Sequence, residues 1–120
     1  VYLQRESWAE AVDVLRRANR LHANDAETLR TLGWALFRSG ERTQGLVTLE
    51  RALNLESENP LTLCDLGVVQ LEMQQFERAR ALFRRVLDLD PQHGRARDCL
   101  AAIDRIELVT MGGGRPTEAA

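Results

Sequence analysis

Leu32-Gly33 and Leu66-Gly67 stand 34 residues apart, and the apolar pattern around them repeats at the same step. The best-preserved unit runs from Asp25 to Asn59. Its first half carries Leu29, Leu32, Gly33, Leu36 and Phe37 at helical spacing, Gly40 breaks the pattern, and Leu46, Leu49, Ala52 and Leu53 form a second apolar run. One step later come Leu63, Leu66-Gly67, Ala79, Phe83 and Leu89-Asp90-Pro91, and one step earlier Ala11, Leu15, Ala18 and Leu21. Two amphipathic runs per period of this length cannot close into a sheet. They can bury their apolar faces only by stacking on the neighbouring unit, which is the pattern of a helical solenoid.

Local signals divide the period into helices. Val1-Tyr2-Leu3 reads as the tail of a helix that begins upstream, and Ser7-Trp8-Ala9-Glu10 as a capping box opening a helix over about 8–21. Asp25 is the next N-cap, Ser39-Gly40 the next stop, and Asn59-Pro60 an N-cap followed by proline at the first helical position. Gln74-Gln75 makes the second turn and Asp90-Pro91 ends the following helix. A final, more polar helix is expected over 94–111, with Gly112-Gly113-Gly114 as its stop and residues 112–120 as a flexible glycine-rich tail. No segment reads as a strand. The expected fold is all-α: a solenoid of antiparallel helix pairs, with a partial repeat over 1–25, repeats over 26–59 and 60–93, and a terminal capping helix over 94–111.

Composition narrows the function classes. The 120 residues are 44% hydrophobic and 28% charged, with net charge −2, which fits one globular domain. No apolar run approaches the roughly 18–20 residues of a membrane span, and no N-terminal segment has the pattern of a secretory signal. All 16 basic residues are arginine, which points to a GC-rich bacterial source. The lack of lysine also excludes a Schiff-base or phosphate-loop lysine. Cys64 and Cys99 are too few for a disulfide framework, so a reducing, cytoplasmic setting is expected.

Arg17, Arg51 and Arg85 form a column at the repeat step, with Arg16, Arg20, Arg78, Arg80 and Arg84 nearby. Glu10, Asp13, Glu50, Glu77 and Asp88 are interspersed with them, so this reads as a solvated helix face rather than a nucleic-acid stripe. Cys64, Cys99, His22 and His93 lie on separate elements without the close spacing of a zinc site. No metal, cofactor or catalytic residue is expected.

These residues resemble the tetratricopeptide repeat, whose first helix carries Leu-Gly between large apolar residues and whose second carries alanines around an aromatic or leucine. Leu29, Leu32-Gly33, Leu36, Leu49 and Ala52 match one copy, and Leu63, Leu66-Gly67, Ala79, Phe83 and Pro91 another. Gly45, Ser57, Gln70 and Val86 depart from the pattern. Small residues at Ala11, Gly33, Gly45, Gly67, Ala79 and Ala101 are expected to let paired helices approach closely.

The resemblance implies that the solenoid is a right-handed superhelix, with a concave groove lined by the first helix of each pair. The groove residues would be Arg30, Trp34, Phe37 and Arg38, then Leu61, Cys64, Val68, Leu71 and Glu72, then Arg95, Asp98 and Ala102. Apolar anchors rimmed by arginine suit a peptide with hydrophobic side chains. Some members of the family grip a terminal carboxylate with lysine, arginine and asparagine. Arg30 and Arg95 fall at basic positions of that clamp, but Trp34, Asp65 and Cys99 hold the other three, so no such clamp is expected.

A second expected contact is the N-terminal edge, where Trp8, Val12 and Leu15 look under-covered; upstream sequence, a second copy or a partner would supply the cover. The expected function is a non-enzymatic scaffold or adaptor for a protein or peptide partner, in assembly of a multiprotein complex. The alternatives are a chaperone of the same repeat type, such as one of a secretion system, and a regulatory or targeting segment of a larger enzyme.

Overall fold

The computed structural model describes residues 2–114, with side chains described for 7–110. Six helices follow one another: α1 (Tyr2–Leu21), α2 (Ala26–Arg38), α3 (Arg42–Leu55), α4 (Pro60–Glu72), α5 (Phe76–Leu89) and α6 (Gly94–Gly114). There is no strand among the described residues. The pairs α2–α3 and α4–α5 are the two complete repeats, α1 packs on α2, and α6 packs on α5.

The helix starts follow from their caps. Asp25 Oδ1 accepts from the Glu27 N–H at 3.2 Å, and Asn59 Oδ1 from the Leu61 N–H at 2.9 Å with Pro60 opening α4. The two turns share one geometry. The Glu41 N–H reaches the Leu36 carbonyl at 2.9 Å, and the Gln75 N–H reaches the Gln70 carbonyl at 2.8 Å. Both close over a left-handed residue, Gly40 at φ 106° and Gln74 at φ 62°. Glycine takes that conformation freely, whereas a residue with a Cβ is strained in it.

Within each pair the helices meet at small residues. A Cβ on Gly45 would lie 2.7 Å from the Gly33 carbonyl oxygen and 2.7 Å from the Phe37 nitrogen, so backbone touches backbone there. A Cβ on Gly67 would lie 2.7 Å from the Phe83 ring, and Ala79 is fully buried. Ala11 and Ala101 occupy the equivalent positions of α1 and α6; Ala11 is half-buried on the α1–α2 cluster, and Ala101 is exposed.

The core runs between pairs as a chain of clusters. Val12, Leu32, Ala35 and Leu36 join α1 to α2. Phe37, Leu49, Leu66 and Val69 join the first repeat to the second. Leu63, Phe83, Val86, Ala96 and Ile103 join α4 and α5 to α6.

Three sequence expectations are corrected. The Ser7–Glu10 capping box does not form, because α1 is continuous from Tyr2. Nothing in that stretch is glycine or proline, and prolonging a helix is easier than nucleating a new one. Gly112–Gly114 do not stop α6 but belong to it; glycine costs about 1 kcal/mol in a helix without forbidding it. Residues 115–120 of the expected tail lie outside the described residues. Finally, Val12 is only 4% exposed, packed under Leu32, Ala35 and Leu36, so it is core rather than uncovered edge. Trp8 and Leu15 are half-buried on the same cluster.

Candidate functional site

The helices α2, α4 and α6 present a shared face, and ion pairs cross it. Arg30 Nη1 of α2 donates to Asp65 Oδ2 of α4 at 3.2 Å, and Arg95 Nη1 of α6 approaches Asp65 Oδ1 at 3.5 Å. One turn or two further along, Arg38 Nη2 of α2 meets Glu72 Oε2 of α4 at 3.0 Å. Asp65 is buried, and burial pushes its carboxyl pKa up; the Arg30 hydrogen bond and the positive charges of Arg30 and Arg95 oppose that rise. The carboxylate thus sits between two guanidiniums, the environment an anionic ligand would otherwise occupy.

Trp34 lies at the centre of this face, half-buried. The Arg38 guanidinium stands 4.5 Å over its ring and that of Arg95 5.5 Å, so cations from α2 and α6 bracket one indole. Below it Trp34 packs on the clusters of both repeats. Its edge is therefore held rigidly while part of the ring stays open to solvent.

The predicted groove residues separate into two layers. Arg30, Trp34, Arg38 and Leu71 are partly exposed, and Leu61, Glu72, Arg95 and Asp98 are exposed. Phe37, by contrast, is 4% exposed and packs on Leu49, Leu66 and Val69. Cys64, at 1%, is equally enclosed, and burial lifts its thiol pKa to about 11. Val68 is buried as well. These three are floor rather than anchors, a correction to the sequence expectation. The reason is that Phe37 turns toward α3, where Gly45 leaves room for it.

Sequence reasoning reached Ala102 on this face but missed Ile106 and Val109 beyond it. Ala102, Ile106 and Val109 follow one another along α6 at spacings of four and three, and with Arg105 and Thr110 they line an apolar hollow of about 370 Å³. Val109 is 73% exposed. Helical periodicity continued past Ala102 would have found them.

Nothing on this face assembles a reactive group. Cys99 is half-buried and its thiol pKa is also raised by burial, so neither cysteine is held as a thiolate. Among the described residues no three or more of His, Cys, Asp and Glu come together as a metal site. None of the described helices is long and apolar enough to cross a membrane. Arg17, Arg51 and Arg85 are all exposed, and Arg85 Nη2 donates to the Ser57 carbonyl at 2.9 Å.

The family model described as "Tetratricopeptide repeat" matches residues 36–103, more than half the chain. The chain belongs to the tetratricopeptide repeat (TPR) family. No curated protein matches it in sequence. Solved TPR structures share its fold. The Sgt2 TPR domain from Aspergillus fumigatus superimposes with a TM-score of 0.82 at 16% identity, over 95% of this chain and 77% of that one. The second TPR domain of human RPAP3, in complex with the HSP70 peptide SGPTIEEVD, gives 0.75 at 16% identity over 86% of each chain. The type III secretion translocator chaperone SycD of Yersinia enterocolitica gives 0.76 at 15% identity, over 88% of this chain and 85% of that one. As a family, TPR domains are generally non-enzymatic protein-interaction modules.

Proposed function

We propose that the chain is a non-enzymatic, cytoplasmic scaffold that holds a peptide segment, or an extended arm of a partner subunit, across α2, α4 and α6 during assembly of a multiprotein complex. The observation that carries this reading is Trp34, a half-exposed indole fixed from below by two core clusters and bracketed by Arg38 and Arg95. A rigid aromatic with flanking cations is the composition of an interface hot spot, and little order has to be gained on binding.

The chemistry of the face also selects the ligand. Solved TPR domains hold the acidic peptides SRMEEVD and SGPTIEEVD. Here Arg30 and Arg95 are already engaged by Asp65, so an acidic tail would have to displace a buried carboxylate. The open contacts are the Trp34 ring, Leu61 and the strip Ala102–Ile106–Val109. They suit a segment with apolar or aromatic side chains.

The test is peptide selection on the immobilised chain, followed by titration of the selected peptides against Trp34→Ala. The variant is expected to weaken binding by at least about 30-fold, the effect of a hot-spot truncation, with an unchanged circular-dichroism spectrum. Peptides that bind Trp34→Ala as well as the parent chain would overturn the assignment. The double variant of Trp34 and Phe37 is not a suitable probe, because Phe37 is core.

A further inference from the structure

We propose that Cys64 and Cys99 are a reversible dithiol, which closes to a disulfide and ties α6 to α4 in the cluster on which Trp34 rests. The proposal does not depend on what the groove binds.

The repeat itself brings the two thiols together. Arg30 of α2 and Asp65 of α4 stand 35 residues apart and meet at 3.2 Å. One repeat step of 34 residues further on, the same two positions are Cys64 of α4 and Cys99 of α6. The positions that join α2 to α4 by an ion pair thus hold two thiols between α4 and α6. The chain has no other cysteine.

Packing agrees with the register. Cys64 is enclosed in the cluster of Leu63, Phe83 and Ala96, and Cys99 packs half-buried against that cluster. Burial chiefly lifts the Cys64 pKa, and nearby negative charge, that of Cys99 included, adds to the rise. The two sulfurs are therefore in electrostatic reach of each other. Ala96, one turn before Cys99, is fully buried in the same cluster, so only a methyl group stands against α4 at that level. The two helices bring Cα atoms within 8 Å of each other. A disulfide needs Cα atoms about 4.4–6.8 Å apart, so it asks for a slight tightening of α6 onto α4.

The chemistry is exchange with a small-molecule disulfide such as oxidised glutathione. Cys99, the more open thiol, gives up its proton and attacks one sulfur of the reagent. That S–S bond breaks, and one reagent thiol leaves. Cys64 then gives up its proton and attacks Cys99 Sγ in the mixed disulfide, and the second reagent thiol leaves. The two cysteines lose two electrons and two protons, and the reagent is reduced to two thiols. Burial outweighs the help that Arg95 gives to both thiolates, and Cys64 is pushed up to about 11. The bond accordingly forms slowly at neutral pH and faster in alkali, so it answers to lasting rather than brief oxidation. Closure fixes α6, which carries Arg95 over the Trp34 ring.

The experiment equilibrates the folded chain with mixtures of oxidised and reduced glutathione at about pH 8.5, where more thiolate is present. After an acid quench, free thiols are counted by mass spectrometry in urea with N-ethylmaleimide. The expected product is a monomer lighter by two hydrogens, with no alkylated thiol and a proteolytic fragment that links Cys64 to Cys99. Dithiothreitol should restore two alkylated thiols. The oxidised chain should melt about 5 °C or more above the reduced one, because the bond closes a long loop. Cys64→Ser and Cys99→Ser, shown to be folded by circular dichroism, should gain nothing from the oxidant. Two free thiols at every glutathione ratio would overturn the proposal. So would a glutathione adduct on Cys99 that never resolves, a bond between two chains, or an oxidised chain that melts no higher than the reduced one.

Discussion

In α2–α3 two glycines face each other, and the helices meet backbone to backbone at Gly33 and Gly45. In α4–α5 the same positions hold Gly67 and Ala79, and the space between the helices is taken by the Phe83 ring. The turns differ likewise, with Gly40 in one and Gln74 in the other, at the same backbone geometry. The first repeat therefore relies on close backbone contact and the second on a large side chain. Both reach the same pairing, so the template lies in where small residues stand and not in what fills the remaining volume.

The largest test of this contrast is truncation of the filler. Phe83→Ala should cost about 3–5 kcal/mol and Leu49→Ala about 2–5 kcal/mol, read by urea denaturation, with Phe83→Ala the greater loss. Equal losses would mean that the ring is not what sets the second pair.

Overpacking comes next. Gly45→Ala should cost about 1–3 kcal/mol, because its new methyl meets main-chain atoms that cannot move aside. Gly67→Ala should cost less, since the atoms it meets belong to the Phe83 side chain. Reversal of that order would show that Phe83 is the more rigid neighbour.

A smaller effect, of opposite sign, is expected at the second turn. Gln74→Gly should stabilise the fold by up to about 1 kcal/mol by relieving left-handed strain. Gly40→Gln should destabilise it by a similar amount.

The smallest effect distinguishes the repeats by charge. Asp65 has no counterpart in the first repeat, where Thr31 stands. Its folded pKa is raised above the ordinary 3.8. Its contribution to stability is therefore fully present below that value and is lost as pH rises through the folded pKa. Melting temperatures of the parent chain and Asp65→Asn should accordingly diverge as pH rises above about 4, with the parent losing ground. A constant difference would mean that the two arginines fully offset the burial.

Much of the fold is legible in the sequence because the repeat states it more than once. Leu32-Gly33 and Leu66-Gly67 mark the close approaches, and Asp25, Asn59-Pro60 and Asp90-Pro91 mark the boundaries. The site is less legible for two reasons. Periodicity places Phe37 on a helix but does not say whether it turns toward the groove or toward α3; that depends on Gly45, eight residues away in the next helix. Ile106 and Val109 are missed differently: the groove pattern is followed only as far as Ala102, and they continue it along α6. The Arg30–Asp65 pair joins residues 35 apart, one off the repeat step, so a strict search at that step passes over it, whereas Arg38–Glu72 lies at the step itself.

That triad has a mechanical consequence. Asp65 of α4 draws together Arg30 of α2 and Arg95 of α6, so a single carboxylate tethers three alternate helices along one side of the stack. A tether on one side works like a bowstring: it limits how far the array can straighten and so sets the span over which a bound segment must stretch. Neutralising it should slacken the curve, and Asp65→Asn should scatter X-rays at small angles as a longer, straighter body than its parent.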